Sequence, residues 1–285
     1  MLKLALIGNY FCWLILVWNM YSWNWQSWQG LPYLNCSLLE DWPHGFFTQK
    51  FWSRPPETEL TKVLHEDASG YRLEQVHGNV VITPREINSR LQRYPQNKSE
   101  VSSWALADGL ISEKPLQAVW VATADCTPIL IADSQTGNVA AIHAGWRGTA
   151  ARIIPQAIHR LLVNGSKLTN LRIVMGPAIT GVVYQVSKQT AVEVGASIFN
   201  YEEEEAIINT LQALNNPPVI PDEKPGHVRL DIRRINYLQM ELMGIRGEQI
   251  AVAPYCTYQT PEYFFSYRRD NLKKFQWSGI VSITT

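Results

Sequence analysis

The stretch "TADCTPILIADSQTGNVAAIHAGWRG", residues 123–148, sets two strand-forming apolar runs on either side of the turn-rich "DSQTGN". A connection of that composition folds the chain back on itself as a hairpin. With one strand ending near Asp133 and the other beginning near Asn138, facing residues carry numbers that sum to about 271. Cys126 then faces position 145, and His143 lies two positions away on the same face. Diagonal neighbours of that kind are about 7 to 8 Å apart at the backbone and closer at the side chains, so the two meet unless Pro128 forces a bulge.

A thiol and an imidazole on one face have three uses. They ligate a metal, they form a nucleophile and its base, or they are a buried cysteine beside a hydrogen-bonded histidine. His77, in "EQVHGNV", offers a third donor next to a glycine that lets backbone approach a site closely. His77, Cys126 and His143 together would make a three-ligand zinc site with a fourth position for water, although their spacing alone is not a zinc motif. "HAGWRGT" then runs from strand into helix, and its free backbone N–H groups and Arg147 favour an anion. The plainer alternative is a tight strand–helix turn with a solvated arginine.

The chain has 285 residues, 46% of them apolar, with 11 Trp, 12 Tyr and 8 Phe, enough for a substantial core. Lys+Arg and Asp+Glu are both 25, so no net field draws nucleic acid or an anionic membrane, and a small molecule is the expected partner. Four cysteines without a CxxC pair argue against a disulfide scaffold and a zinc knuckle, and for a reducing compartment, the cytoplasm.

The N-terminus points elsewhere. "LALIGNYFCWLILVW", behind Lys3, resembles the apolar part of a signal peptide and falls short of the roughly 20 residues needed to span a bilayer. Residues 1–19 are read as an extension, either a mis-called start ahead of Met20 or a signal or anchor, with packing as structure a third reading; residues 20–285 are the catalytic domain.

Along that domain, "WPHGFFTQKFW" (42–52) reads as an opening strand and "YRLEQVHGNVVIT" (71–83) as two strands interrupted at His77. Residues 84–103 read as a loop or lid. "TAARIIPQAIHRLLVNG" (149–165) has helical spacing with Thr149 as N-cap and Pro155 in or near its first turn. "SKQTAVEVGASIFNYEEEEAIINTLQAL" reads as helical with an acidic, solvated middle, and "DIRRINYLQMELMGI" as a helix capped by Asp231. "LRIVMGPAI", "QIAVAPYCT" and "WSGIVSITT" read as strands. His65 and His227 are read as loop residues, His159 as helix surface and Cys256 as buried.

In order, "QVHG", "TADCTPILIAD", "HAGWRGT", "GPAI" and "CT...FFSYRRD" resemble the bacterial laccase-domain family, also called YfiH-like or polyphenol-oxidase-like, over some 230 of 285 residues. The resemblance implies an α+β fold, mixed β-sheets in a sandwich flanked by helices. It implies a zinc-dependent purine nucleoside phosphorylase that cleaves adenosine, inosine, guanosine and methylthioadenosine with phosphate, and has adenosine deaminase activity. The metal ligands it implies are His77, Cys126 and His143. Zinc held there would lower the pKa of a bound water or polarise phosphate.

Cys126, Asp108 and Arg147 are read as catalytic, and His44, Gln75, Arg147 and Arg268 as substrate-binding, with Asp125 as a further proton-transfer candidate. The expected partners are a purine nucleoside and phosphate, with no nucleic acid, no membrane unless the extension is real, and a monomer or small homo-oligomer. Copper is the alternative metal, in a polyphenol oxidase. Against it, many relatives have cysteines where "GPAITGVVYQV" has Val182 and Val183, and 6 histidines are too few for true multicopper centres. Two further alternatives stay open: a deamidase or thiol hydrolase with Cys126 as nucleophile and His143 as base, and a non-catalytic factor of the cell envelope.

Overall fold

The computed structural model describes residues 21–93, 104–199 and 203–285; the apolar extension and the second half of the expected lid lie outside these residues. Its centre is the hairpin read from the sequence. Strand β8 (Thr127–Asp133) pairs antiparallel with β9 (Val139–Ala144), with Thr127 opposite Ala144 and Pro128 opposite His143. Pro128 causes no bulge because it is only the second residue of its strand, where a missing N–H does little to the ladder.

Every residue of β8 and β9 is buried, since both faces of the hairpin are covered. Ile129, Ile131, Ala140 and Ile142 pack under Ile153, Ile154, Ala157, Ile158 and Leu161 of one helix and Tyr237 and Met240 of another. Leu130, Ala132, Val139 and Ala141 face the other way, onto Leu34, Phe46, Val119 and Val121 of a second sheet. The alternation of side chains along a strand thus builds two cores from one hairpin.

The architecture is a mixed-sheet sandwich. One sheet runs β1 (Trp23–Trp28), β2 (Leu31–Cys36), β3 (His44–Phe47), β15 (Gln276–Val281), β7 (Gln117–Thr123), β4 (Ser69–Tyr71). The other runs β14 (Ile250–Val252), β10 (Leu171–Met175), β8, β9, β6 (Gly109–Ile111), β5 (Val81–Ile82). A third sheet of β11 (Gln185–Ser187), β13 (His227–Leu230) and β12 (Val219–Pro221) packs with the helices Lys188–Gly195 and Glu204–Ala213 around its own apolar cluster. Among the described residues no helix is long and apolar enough to cross a membrane.

Several expectations are corrected. The sheet opens with β1 and β2, ahead of the 42–52 segment, joined at Gln29 (φ 51°) and Gly30 (φ 78°), a two-residue turn of positive φ that matches strand twist. The expected loop at 84–103 begins as a helix, Pro84–Arg93. The expected helix at 149–165 is two helices, Trp146–Ala150 and Ile153–Val163, broken at Arg152 in the left-handed region (φ 61°). Thr149 is therefore no N-cap; it is buried, and its hydroxyl donates to Asn236 Oδ1 at 3.2 Å. Pro155 does fall in the first turn of the second helix, where its absent N–H has no partner to lose. The helical reading that starts at Ser187 is likewise two helices, and His227 begins β13.

Candidate metal centre and its cavity

The site forms where β8 begins and β9 ends. Cys126 immediately precedes β8, and His143 continues the row of Val139 and Ala141 that faces the second sheet. His77 comes from the loop between β4 and β5. Its imidazole meets that of His143 edge to face, with centroids 4.7 Å apart. The ligand atoms of His77, Cys126 and His143 all lie within 4.8 Å of one another, and among the described residues no other such cluster occurs.

Two glycines make the convergence sterically feasible. A Cβ on Gly145, opposite Cys126 across the hairpin, would stand 2.8 Å from Cys126 Sγ. One on Gly148 would stand 2.8 Å from the backbone oxygen of Gly78, so the strand–helix turn and the His77 loop close on each other only with hydrogen there. The glycines of "HAGWRG" thus serve the approach of other segments.

Asp108 is the brace. Its carboxylate accepts His143 Nδ1–H at 2.8 Å, its backbone oxygen accepts the His143 N–H at 2.8 Å, and its two carboxylate oxygens accept the N–H groups of His77 (2.9 Å) and Gly78 (2.7 Å). His77 has φ 60°, an uncommon conformation for a side-chain-bearing residue, which those bonds hold in place. A carboxylate that accepts fixes the proton on Nδ1 and leaves Nε2 of His143 for the cluster. Burial pushes the Asp108 carboxyl up, but the His143 and backbone donors bring it below the ordinary carboxylate range. Asp108 lies behind the histidines, fully buried, and acts through them.

Charge within the cluster is tightly coupled. Burial opposes ionisation of Cys126, but His143 and His77 beside it draw the thiol down to about 6. Burial likewise opposes protonation of His143, while Cys126 and Asp108 push it up to about 9. The metal-free centre is a thiolate–imidazolium pair at neutral pH.

The centre opens into a cavity of about 740 Å³. Gln75, Asp125, Trp146, Arg147, Tyr184 and Arg268 line it together with the cluster, as do Arg72, Trp104, Lys273, Lys274 and Trp277. Five cationic side chains there face two acidic ones, Glu74 and Asp125, so the cavity is electropositive although the chain as a whole is neutral. Arg147 lies over the Trp146 ring at 4.3 Å and, among the described residues, its guanidinium makes no hydrogen bond. The helix Trp146–Ala150 is barely more than one turn, so an anion here would be held by the arginine's own charge more than by a helix dipole.

The other sequence candidates divide. Gln75 lines the cavity, but its amide is committed to β7, accepting from Ala122 N and donating to Ala122 O, each at 2.7 Å. Arg268 lies over the Tyr184 ring at 4.6 Å and donates to Gln185 O. Asp125, with φ 91°, accepts the Thr257 hydroxyl and the Arg268 N–H at 2.7 Å each, tying "TADC" to "CT" and "SYRR". In "FFSYRR", Ser266 caps the single turn Tyr267–Asp270, and Arg269 donates to the oxygens of Thr257, Tyr258 and Phe264.

The structure does not bring His44 to the cavity. It is buried in β3, where Nε2 accepts the Cys36 N–H and Nδ1 donates to Trp42 O, and burial holds it neutral, down to about 4. Cys256 is buried and accepts from Thr180, and Val182 and Val183 do not line the cavity. Sequence reasoning passed over Tyr184 and Trp146. Both sit inside the quoted motifs, but nothing in their spacing distinguishes a cavity aromatic from a core one.

A family model described as multi-copper polyphenol oxidoreductase laccase matches residues 57–281. The chain belongs to this family. It is 50% identical over 256 residues to a purine nucleoside phosphorylase of Synechocystis sp., covering 89% of this chain and 94% of that one. It is 28% identical over 162 residues to an adenosine deaminase from an unknown prokaryotic organism, covering 57% and 56%. The crystal structure of YlmD from Geobacillus stearothermophilus superposes with a TM-score of 0.70 at 21% identity, covering 92% of this chain and 99% of that one, and shows the same fold. The family's description, multi-copper, implies several coppers. Of the 6 histidines here, only His77 and His143 reach the cavity, so the donor set suits one ion.

Proposed function

We propose that the chain is a zinc-dependent purine nucleoside phosphorylase, with adenosine, inosine, guanosine and methylthioadenosine as the substrate class and adenosine deamination as a second activity of the same cavity. The observation that carries this reading is the His77–Cys126–His143 cluster, braced by Asp108, at the floor of an electropositive cavity. The donors fit the metal. Two imidazoles and a thiolate whose ligand atoms lie within 4.8 Å of one another would suit zinc, and His77, Cys126 and His143 would hold it. Asp108 orients His143 as an outer partner orients a zinc-bound histidine. When bound, zinc supplies Lewis acidity toward phosphate or water.

The chain's own residues do the rest. Arg147, whose guanidinium donors are uncommitted among the described residues, and Arg268, with some free on the same count, would take phosphate. Trp146 and Tyr184 would flank the nucleoside, and Trp104 and Trp277 would exclude water from the cavity. The reading is tested by elemental analysis of the purified protein together with turnover of inosine and adenosine. One zinc per chain and release of free base only when phosphate is present are expected; base release indifferent to phosphate would refute it.

One observation favours a second reading. Cys126, His143 and Asp108 form a thiol, imidazole and carboxylate series, the arrangement of a thiol hydrolase. That reading requires turnover that survives chelation and is abolished in Cys126→Ser.

A further inference from the structure

The proposed phosphorolysis leaves one demand without a provider. Breaking the bond from C1′ of the ribose to N9 drives an electron pair into the purine ring, and the negative charge spreads to N7. The acids at hand do not supply it: Asp125 accepts with both oxygens, Asp108 behind the histidines accepts from four N–H groups, and Glu74, the cavity's other acid, is a solvent-exposed side chain. The cavity's arginines are matched to an incoming phosphate. Tyr184 is different. Half-buried at the start of the third sheet, it lines the cavity with its ring beneath Arg268. It shares the cavity wall with Cys126, Asp125, Arg147 and Arg268, so its phenol borders the same space as the cluster and the two arginines. Among the described residues that hydroxyl has no hydrogen-bond partner. A phenol is neutral and protonated at physiological pH, so it donates without competing for phosphate.

We infer that Tyr184 donates a hydrogen bond to N7 of the leaving purine and stabilises its developing charge. The inference rests on the phosphorylase reading above. In the step, a phosphate oxygen bonds to C1′ as the C1′–N9 bond breaks. The electron pair of that bond passes to the base, and the proton lost by hydrogenphosphate ends on the base through solvent. The products are ribose 1-phosphate and neutral purine, and Tyr184 keeps its proton throughout. Removing a preorganised donor of this kind lowers kcat by about 10² to 10³.

The test compares two substrates within each protein sample, so that the folded fraction cancels. Inosine offers a lone pair at N7; 7-methylinosine has none there, and because its ring is already cationic before the bond breaks, its base leaves neutral with no charge for a donor to stabilise. Tyr184→Phe is expected to lose about 100-fold in kcat on inosine and less than about 5-fold on 7-methylinosine. Tyr184→Gln, which keeps an N–H donor and covers the case in which the phenylalanine variant does not fold, is expected to recover part of the loss on inosine only. Equal losses on both substrates would overturn the role of Tyr184 while leaving the phosphorylase reading standing. No phosphate-dependent cleavage of either substrate by the unaltered protein would overturn both.

Discussion

At Cys126 and His143 the physical chemistry is set by who stands beside whom. A thiol ordinarily near 9 is brought to about 6 because two imidazoles stabilise its anion more than burial penalises it. Its thiolate fraction in the chelated protein therefore rises through pH 6 and is nearly complete by pH 7.5. Alkylation of Cys126 by iodoacetamide should climb between pH 5 and 7 and then level off, whereas an ordinary thiol keeps gaining rate up to pH 9. A rate still rising tenfold between pH 7.5 and 8.5 would show that the histidines do not hold the anion. Asp108 allows an equally sharp test. Asp108→Asn keeps the volume but presents N–H where the His143 and backbone donors need an acceptor. Zinc affinity measured by competition with a chromophoric chelator should fall by about 10 to 100-fold, although Asp108 touches no metal ligand atom that faces the cavity.

Between elements, the decisive contacts are those that let loops from distant parts of the chain close on one another. The turn from β9 into the helix Trp146–Ala150 meets the His77 loop at Gly148, with no room for a methyl group. Gly148→Ala should push the His77 loop outward, costing about 1 to 3 kcal/mol of stability and lowering zinc affinity. Far-UV circular dichroism should be unchanged, because the ladder between β8 and β9 does not depend on that contact. Unaltered zinc affinity would mean that the loop has slack the packing does not suggest. The same element shows where reading stopped at local pattern. Apolar periodicity found the helix that packs on β8 and β9, and Pro155 in its first turn, but placed its N-cap three residues early, at Thr149 instead of Arg152. The start is decided by Thr149 and Gln239: Thr149 bonds Asn236, and its carbonyl accepts from Gln239, so the preceding turn is pinned to a helix far along the chain.

For the whole molecule, three residues spread over 66 positions of sequence, His77 to His143, are held by a loop, the start of one strand and the end of another, and meet at one point. A metal bound there ties those segments together and stabilises the fold by mass action, about 2.7 kcal/mol at a hundredfold excess over Kd. Chelation should lower Tm by several degrees and zinc should restore it; an unchanged Tm would count against metal at this cluster. Charge is also organised only at this scale. The chain has no net charge, yet its cavity gathers five cations. Arg147→Gln is expected to raise KM for phosphate about tenfold or more with a much smaller change in KM for the nucleoside, an effect that weakens as salt rises.

What the sequence determined by itself was local and periodic. The register of β8 on β9, and with it the meeting of Cys126 and His143, followed from turn length and the two-residue repeat of a strand, because antiparallel pairing leaves no other freedom once the turn is placed. The Asp231 cap was legible for the same reason, being a bond from a side chain to Arg234 N three residues on. His77 as the third member was indicated only by its glycine and by family resemblance. The tertiary structure decided that His44 belongs to a strand–loop lock and not to the cavity, that Asp108 stands behind both histidines, that Asp125 and Arg269 fasten the C-terminal loops, and that Tyr184 has a hydroxyl to spare. Each of those depends on contacts between segments far apart in the chain, and a residue's type and neighbours in sequence carry no record of the distance across a closed loop.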